Sequence, residues 1–225
     1  MGETKRILIV DDHPLICKGL ALMITKKAPD IQVCGDADDI NSALDTAASK
    51  RPDLMVIDIE LKSSNGLDLV KALRSRHPDI PTLVFSMHDE SIYAERALRA
   101  GARGYVMKDL PVEKLVEAIR KVLAGKLYFS EEVTMKILGK FVNVGHDEYE
   151  LPLNRLSNRE LEIFQLIGQE LKSGNIAKKL NISIKTVEAH RDNIRKKLLL
   201  TSNDDLNRFV REWSSHSHPV PSPMF

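Results

Sequence analysis

Only two of the 225 residues are cysteine, Cys17 and Cys34. One falls in an expected helix and the other in an expected strand. No disulfide framework or redox pair is signalled around them, and two reduced thiols are expected. Long apolar runs are also missing. Leu54-Met55-Val56-Ile57 is typical of the longest, far short of the roughly 20 residues that span a bilayer. Met1 to Arg6 leads straight into an apolar strand, without the apolar region and small-residue cleavage site of a secretory signal. A cytoplasmic protein is therefore expected. There is no Gly-rich turn after the first strand, which argues against a dinucleotide site. Net charge is nearly absent, at +1.

The rest reads as globular. At 43% hydrophobic and 29% charged, the chain can bury a core, and its length suits one large domain or two small ones. The small net charge hides an asymmetry. From Lys172 to Lys197 eight Lys and Arg face two acids, Glu188 and Asp192, so this block carries +6 and the remainder −5. A local basic block on a near-neutral chain suggests a phosphate-facing surface, although a solvated helix face gives the same pattern.

Through about residue 125, short β-branched or apolar runs alternate with helical spacing. The runs are Ile7–Val10, Ile31–Cys34, Leu54–Ile57, Thr82–Phe85 and Gly104–Met107. Between them Ile16, Leu20, Met23 and Ile24 share a helix face, as do Ile40, Ala43, Leu44 and Ala47, then Leu67, Val70 and Leu73. Leu115, Ile119, Val122 and Leu123 form the last such stripe. Five strands alternating with five helices predict a parallel sheet covered on both faces, an α/β flavodoxin-like (βα)5 domain over residues 1–126. A linker helix and loop, 127–152, follows. Val133, Ile137, Leu138 and Phe141 mark its helix, and Asn143 to Pro152 loses all periodicity.

From Leu153 the pattern is all helical. Ser157-Asn158-Arg159-Glu160 is a capping box before an apolar run. That helix is expected to reach about Leu171. A short helix near Asn175 to Leu180, a tight turn at Asn181-Ile182-Ser183 and a longer helix to about Leu199 follow. A last helix spans about Asp204 to Trp213, and 214–225 is expected to be a disordered tail. The second domain is thus a smaller all-α helix-turn-helix, residues 153–213.

In a doubly wound sheet, ligands bind at the carboxyl ends of the strands. Strand ends supply Asp11-Asp12, Asp58, Ser86 and Lys108. Three carboxylates on one rim repel unless a cation joins them, and oxygen ligands suit Mg²⁺. The chemistry that fits is phosphoryl transfer to a carboxylate, with Asp58 as nucleophile, Asp12 and Asp58 on the metal, and Asp11 assisting. Lys108 and Ser86 would hold the phosphoryl oxygens. Each residue alone has a plainer explanation, as a helix cap or a surface lysine. The joint placement carries the argument.

Asp11-Asp12, Asp58 with Gly66 eight positions on, Ser86 and Lys108 resemble the receiver domain of two-component response regulators. The resemblance implies phosphorylation of Asp58 by a sensor histidine kinase with Mg²⁺, and a metal site completed by the backbone carbonyl of Glu60. It also implies a switch in which Ser86 approaches the phosphoryl group and Tyr105 changes rotamer. Two departures stand out. Leu61-Lys62 replaces a common Met-Pro, which suggests a looser loop, and Glu60 brings a carboxylate beside the pocket. Lys108 is followed by Asp-Leu-Pro, as in the NarL/FixJ class.

Leu156 to Glu160, Ile176 to Leu180 and Thr186 to Leu198 resemble the LuxR-type helix-turn-helix, which implies double-stranded DNA as partner. The second helix would enter the major groove. Its expected exposed residues are Lys185, Thr186, Glu188, Ala189, Arg191, Arg195 and Lys196, with Asp192 among them. Lys185, Arg195, Lys196 and Lys197 suit phosphates. Arg191 suits guanine or phosphate, Glu188 cytosine, and Ala189 a thymine methyl. Glu188 also suits a plain ion pair with Arg191. The resemblance makes the last helix a homodimer contact through Leu206, Phe209, Val210 and Trp213. The same residues suit packing on their own domain equally well. Gly174 is expected to fray the first helix of the pair. Two other readings compete. In one, Asp58-Ile59-Glu60 faintly resembles the Asp-x-Asp of haloacid-dehalogenase phosphatases, whose second residue is Asp; in the other, the helical domain docks a protein in place of DNA. The phosphoacceptor reading makes the chain a regulator and not an enzyme.

Overall fold

The computed structural model describes residues 4–61, 64–142 and 152–217, with the side chains of 140–142 and 214–217 excepted. The chain forms two compact units, Met1–Gly145 and His146–Phe225.

In the first unit β1 (Lys5–Val10), β2 (Ile31–Ala37) and β3 (Leu54–Ile57) alternate with α1 (Pro14–Lys27) and α2 (Ile40–Lys50). A two-residue pair follows, β4 (Glu60–Leu61) and β5 (Ser64–Asn65). Then come α3 (Gly66–Arg76), β6 (Thr82–Ser86), α4 (Glu90–Ala100), β7 (Gly104–Met107), α5 (Val112–Leu123) and α6 (Glu131–Val142). The five long strands form one parallel sheet in the order β2-β1-β3-β6-β7. Alternate residues of the sheet face opposite ways. Ile7, Ile9, Leu54, Val56, Leu83, Phe85 and Val106 form one core with Cys17, Leu20 and Ile24 of α1 and the apolar stripe of α5. Both cysteines are free thiols, as expected.

Local chemistry sets the helix starts. Asp39 and Ser42 form a reciprocal capping box on α2, and the Asn65 side chain accepts the Leu67 N–H at the start of α3. Gly101, at φ 117°, turns the chain out of α4 in a conformation that favours glycine.

Four features depart from expectation. β2 runs to Ala37, three residues beyond Cys34. The loop after β3, expected to be loose, contains the antiparallel β4–β5 pairing. Met23, placed on the buried stripe of α1, is 45% exposed. The segment expected as a linker belongs in part to the first unit. The Tyr128 carbonyl accepts the Tyr105 N–H, the Tyr128 N–H donates to Arg103, and Val133 of α6 is buried against the unit. Proximity to α4 explains this last difference, which the local periodicity of α6 does not reveal. The expected loop at 143–151 lies outside the described residues.

The second unit contains a 3₁₀ turn (Pro152–Arg155), α7 (Asn158–Gly168), α8 (Ser173–Lys179), α9 (Ile184–Lys197) and α10 (Asn203–Ser217). The Ser157–Glu160 capping box forms as read from sequence. Leu161, Phe164, Ile176, Val187, Ile194, Leu206 and Val210 build the core. α7 stops at Gly168, short of Leu171, because Glu170 takes φ 59°. α8 starts at Ser173, so Gly174 sits within its first turn. α10 continues to Ser217, past the expected end at Trp213, as no proline interrupts it before Pro219. The rest of the expected tail, 218–225, is outside the described residues.

Candidate phosphoacceptor pocket and nucleic-acid interface

Asp11 directly follows β1, Asp58 follows β3, Ser86 ends β6 and Lys108 follows β7. The parallel register brings these ends to one rim. The Lys108 ammonium donates to Asp11 Oδ2 at 2.6 Å and to Asp58 Oδ2 at 2.7 Å. All three side chains are 8% exposed or less. The structure thus brings Asp11, Asp58 and Lys108 together directly. Ser86 is buried, and Asp58, Glu60, Ser86 and Lys108 line one cavity of about 690 Å³.

Burial dominates the electrostatics. It pushes the Asp58 carboxyl above the ordinary carboxylate range, against the pull of Lys108. Burial would also pull the Lys108 ammonium down, but the two carboxylates outweigh it and the net shift is upward. Lys108 therefore stays charged, and its charge makes a carboxylate at position 58 tolerable. Burial likewise raises Asp12, with His13 opposing it.

Asp11, Asp12 and His13 bring ligand atoms within 4.8 Å of one another. Asp58 stands apart from that cluster, linked to Asp11 through Lys108. Asp58 Oδ1 is buried without a regular hydrogen bond. An orphaned anionic oxygen beside a further acidic pair fits a hard divalent cation. The donors are mainly oxygens, which suits Mg²⁺ better than a softer metal.

Gly66 explains why this pocket closes. A Cβ there would fall 1.8 Å from the Asp58 carbonyl oxygen, so only hydrogen fits. The Gly66 N–H instead donates to Ile59 O at 2.8 Å. Tyr105 is buried, and its hydroxyl donates to the His88 carbonyl at 2.8 Å.

Sequence reasoning missed two histidines here. His13 Nδ1 lies 3.1 Å from Asp11 Oδ1 and 2.8 Å from Asp12 Oδ1. His88 Nε2 lies 3.3 Å from Glu60 Oε1, with its ring 4.5 Å from that of Tyr93. Adjacency to Asp12, and a place two residues after Ser86, were the available signals.

In the second unit, α9 exposes Lys185, Thr186, Ala189, Asp192 and Lys196 at helical spacing. Glu188 and Arg195 are half-buried. Arg195 pairs with Asp192 and also donates to Thr201 O at 3.3 Å. Asn193, overlooked in the sequence, is exposed on the same helix.

Several expectations are corrected here. Arg191 is buried, 8% exposed, and donates to Asn207 Oδ1 at 3.3 Å, so it is no exposed base reader. Glu188 lies 3.9 Å from it, the ion-pair alternative. Lys197 donates to the buried Glu160 at 2.6 Å and is not a free phosphate ligand. Burial pushes the Glu160 carboxyl up, but Lys197 and the Ser157 N–H bring it net below the ordinary range. Leu206 and Val210 are core residues, 0% and 1% exposed, and not a dimer surface. Phe209 packs edge-on against Phe164, with ring centres 6.1 Å apart. It and Trp213 remain half-buried. For Arg191, Leu206, Val210 and Phe209 the physical reason is that α10 covers the face of α7 and α9; Lys197 is instead drawn in by Glu160 of α7.

A parallel five-stranded sheet with buried acids and a lysine at its rim, joined in one chain to a helix-turn-helix, is the architecture of a response regulator with a DNA-binding output. Residues 7–120 match the response regulator receiver domain and residues 154–210 match the bacterial regulatory proteins of the luxR family. The chain belongs to the response regulators, in the NarL/FixJ class. It is 35% identical to the oxygen regulatory protein NreC of Staphylococcus carnosus, over 91% of this chain and 96% of that one. It is also 35% identical to the nitrate/nitrite response regulator protein NarL of Escherichia coli K12, over 93% and 96%. Among solved structures, a LuxR-family response regulator from Aurantimonas aligns at 33% identity and TM-score 0.56, over 62% of this chain and 99% of that one. RcsB of Salmonella enterica serovar Typhimurium, bound to promoter DNA with a phosphomimetic, shares the fold at 22% identity and TM-score 0.60, over 93% and 99%. No described helix is long and apolar enough to cross a membrane.

Proposed function

We propose that Asp58 is the phosphoacceptor of this regulator and that a sensor histidine kinase is its donor. An Asp58 carboxylate oxygen attacks the phosphorus, the donor's P–N bond breaks, and an acyl phosphate forms. Lys108, already charged and within reach of Asp58, offsets the charge of the transferring group. Ser86 donates its hydroxyl to a phosphoryl oxygen, and Tyr105 leaves its bond to His88 as the β6–α4 loop follows Ser86. Asp11, Asp12, Asp58 and the Glu60 carbonyl would hold Mg²⁺, which supplies positive charge against the phosphate. The observation supporting this reading is the Lys108 ammonium shared between Asp11 and Asp58, at 2.6 and 2.7 Å.

The output is DNA binding through α9. Lys185, Arg195 and Lys196 meet phosphates, and Thr186, Glu188 and Ala189 face base edges, with Asn193 added to them. Phe209 and Trp213 are the remaining candidates for a contact between two copies on a twofold site. The reading puts the chain in the cytoplasm, where it meets both kinase and DNA. The test is incubation with acetyl phosphate and Mg²⁺, followed by intact mass and DNA footprinting. The parental chain should gain phosphate and change its footprint, and Asp58→Asn should do neither. Phosphate uptake by Asp58→Asn equal to that of the parent would defeat the assignment.

A further inference from the structure

We infer that α6 is the lever by which the first unit reports the state of its pocket, gripped at the first turn of α4 by Glu90 and Lys136. The inference rests on the phosphoacceptor reading and extends it to regulation. Three residues, Met87-His88-Asp89, separate Ser86 from α4. His88 faces two ways: its ring Nε2 lies 3.3 Å from Glu60 Oε1 at the pocket without a regular hydrogen bond, and its carbonyl accepts the Tyr105 hydroxyl at 2.8 Å. Asp89 caps α4 by accepting the Ser91 N–H at 2.8 Å.

The next two residues hold α6. Glu90 Oε1 accepts the Ser130 N–H at 2.8 Å, just before α6 begins. A carboxylate from another helix thus satisfies a donor at the α6 N-terminus, where negative charge is favoured. Lys136 Nζ donates to Ser91 O at 3.2 Å, one and a half turns further along. Val133, between them, is 4% exposed.

A second connection reaches the same place. The Tyr105 N–H donates to Tyr128 O at 2.8 Å, two residues before Ser130. Tyr105 is therefore bonded through its hydroxyl to the loop that precedes α4 and through its backbone to the segment that precedes α6. Movement of Ser86 toward a phosphoryl group displaces the loop, and with it both anchors of α6. Chain connectivity carries the change onward, because α6 precedes the helix-turn-helix in sequence.

The test is hydrogen exchange of amides 131–139 in the full chain, with and without acetyl phosphate and Mg²⁺. Phosphate on Asp58 is read by intact mass in the same samples. In the parental chain, phosphorylation should speed exchange by about five-fold or more, the lower end of ordinary coupling between sites. In the double variant Glu90→Ala, Lys136→Met, exchange should already be fast and phosphorylation should add nothing, with phosphate uptake unchanged. Glu131→Ala alters the first turn of α6 without touching α4, and should keep the phosphorylation response. Phosphorylated parent with unchanged α6 exchange overturns the inference and leaves the phosphoacceptor reading intact. So does a double variant that responds like the parent. Absence of phosphate on the parental Asp58 overturns both.

Discussion

Lysines act in opposite ways in the two units. Lys108 is buried between two carboxylates that would be intolerable without it. Lys185 and Lys196 stand in solvent on α9, where they cost the fold little. In the first unit charge is spent on holding other charge, and the site is built before any ligand arrives. In the second unit the outward charges are left in solvent, while the paired ones, half-buried Lys197 with buried Glu160 and buried Arg191 with Asn207, secure the helices that carry them. A lysine therefore cannot be assigned a role from its residue type. Its partner decides.

Substitutions should separate the two regimes. Gly66→Ala should have the largest effect, since its Cβ meets backbone that cannot withdraw. A loss above about 4 kcal/mol is expected, read by denaturant unfolding, and a stable variant would contradict the close approach. Lys108→Met should cost about 3–5 kcal/mol by leaving two buried carboxylates uncompensated. A variant as stable as its parent would mean that the pocket is wetter than its exposure implies. Leu206→Ala should cost about 2–5 kcal/mol, measured at concentrations where the chain is monomeric. A change confined to dimer formation would restore the surface role that burial argues against. Lys196→Ala should stay within about 0.5 kcal/mol in stability. Its effect should appear as a salt dependence of DNA binding shallower by about one. Unchanged salt dependence would remove Lys196 from the interface.

The legible parts of this protein were those with a local or periodic signature. The strands of the first unit announced themselves as apolar runs, and the pocket residues were found because each lies at the end of one. The capping box at Ser157 and Glu160 was equally plain. What escaped was settled by residues far apart in sequence. The burial of Arg191 depends on Asn207, the capture of Lys197 on Glu160, and the docking of α6 on Glu90 and Ser91. An amphipathic helix such as α10 shows which side is apolar, but not whether its own domain or a second copy covers it. Leu206 and Val210 were ambiguous for that reason. His88 escaped because its place two residues after Ser86 puts it near the pocket but does not show which carboxylate it faces.

The hydrogen bonds of Tyr128 have one more consequence. β7 is the last strand of the sheet, and a bare outer strand presents a row of open donors and acceptors on which another chain can add. Here the main chain around residue 128 takes the Tyr105 N–H and supplies a donor to Arg103. That border is thereby partly sealed by the protein's own backbone, a safeguard against unwanted strand addition beside buried Tyr105.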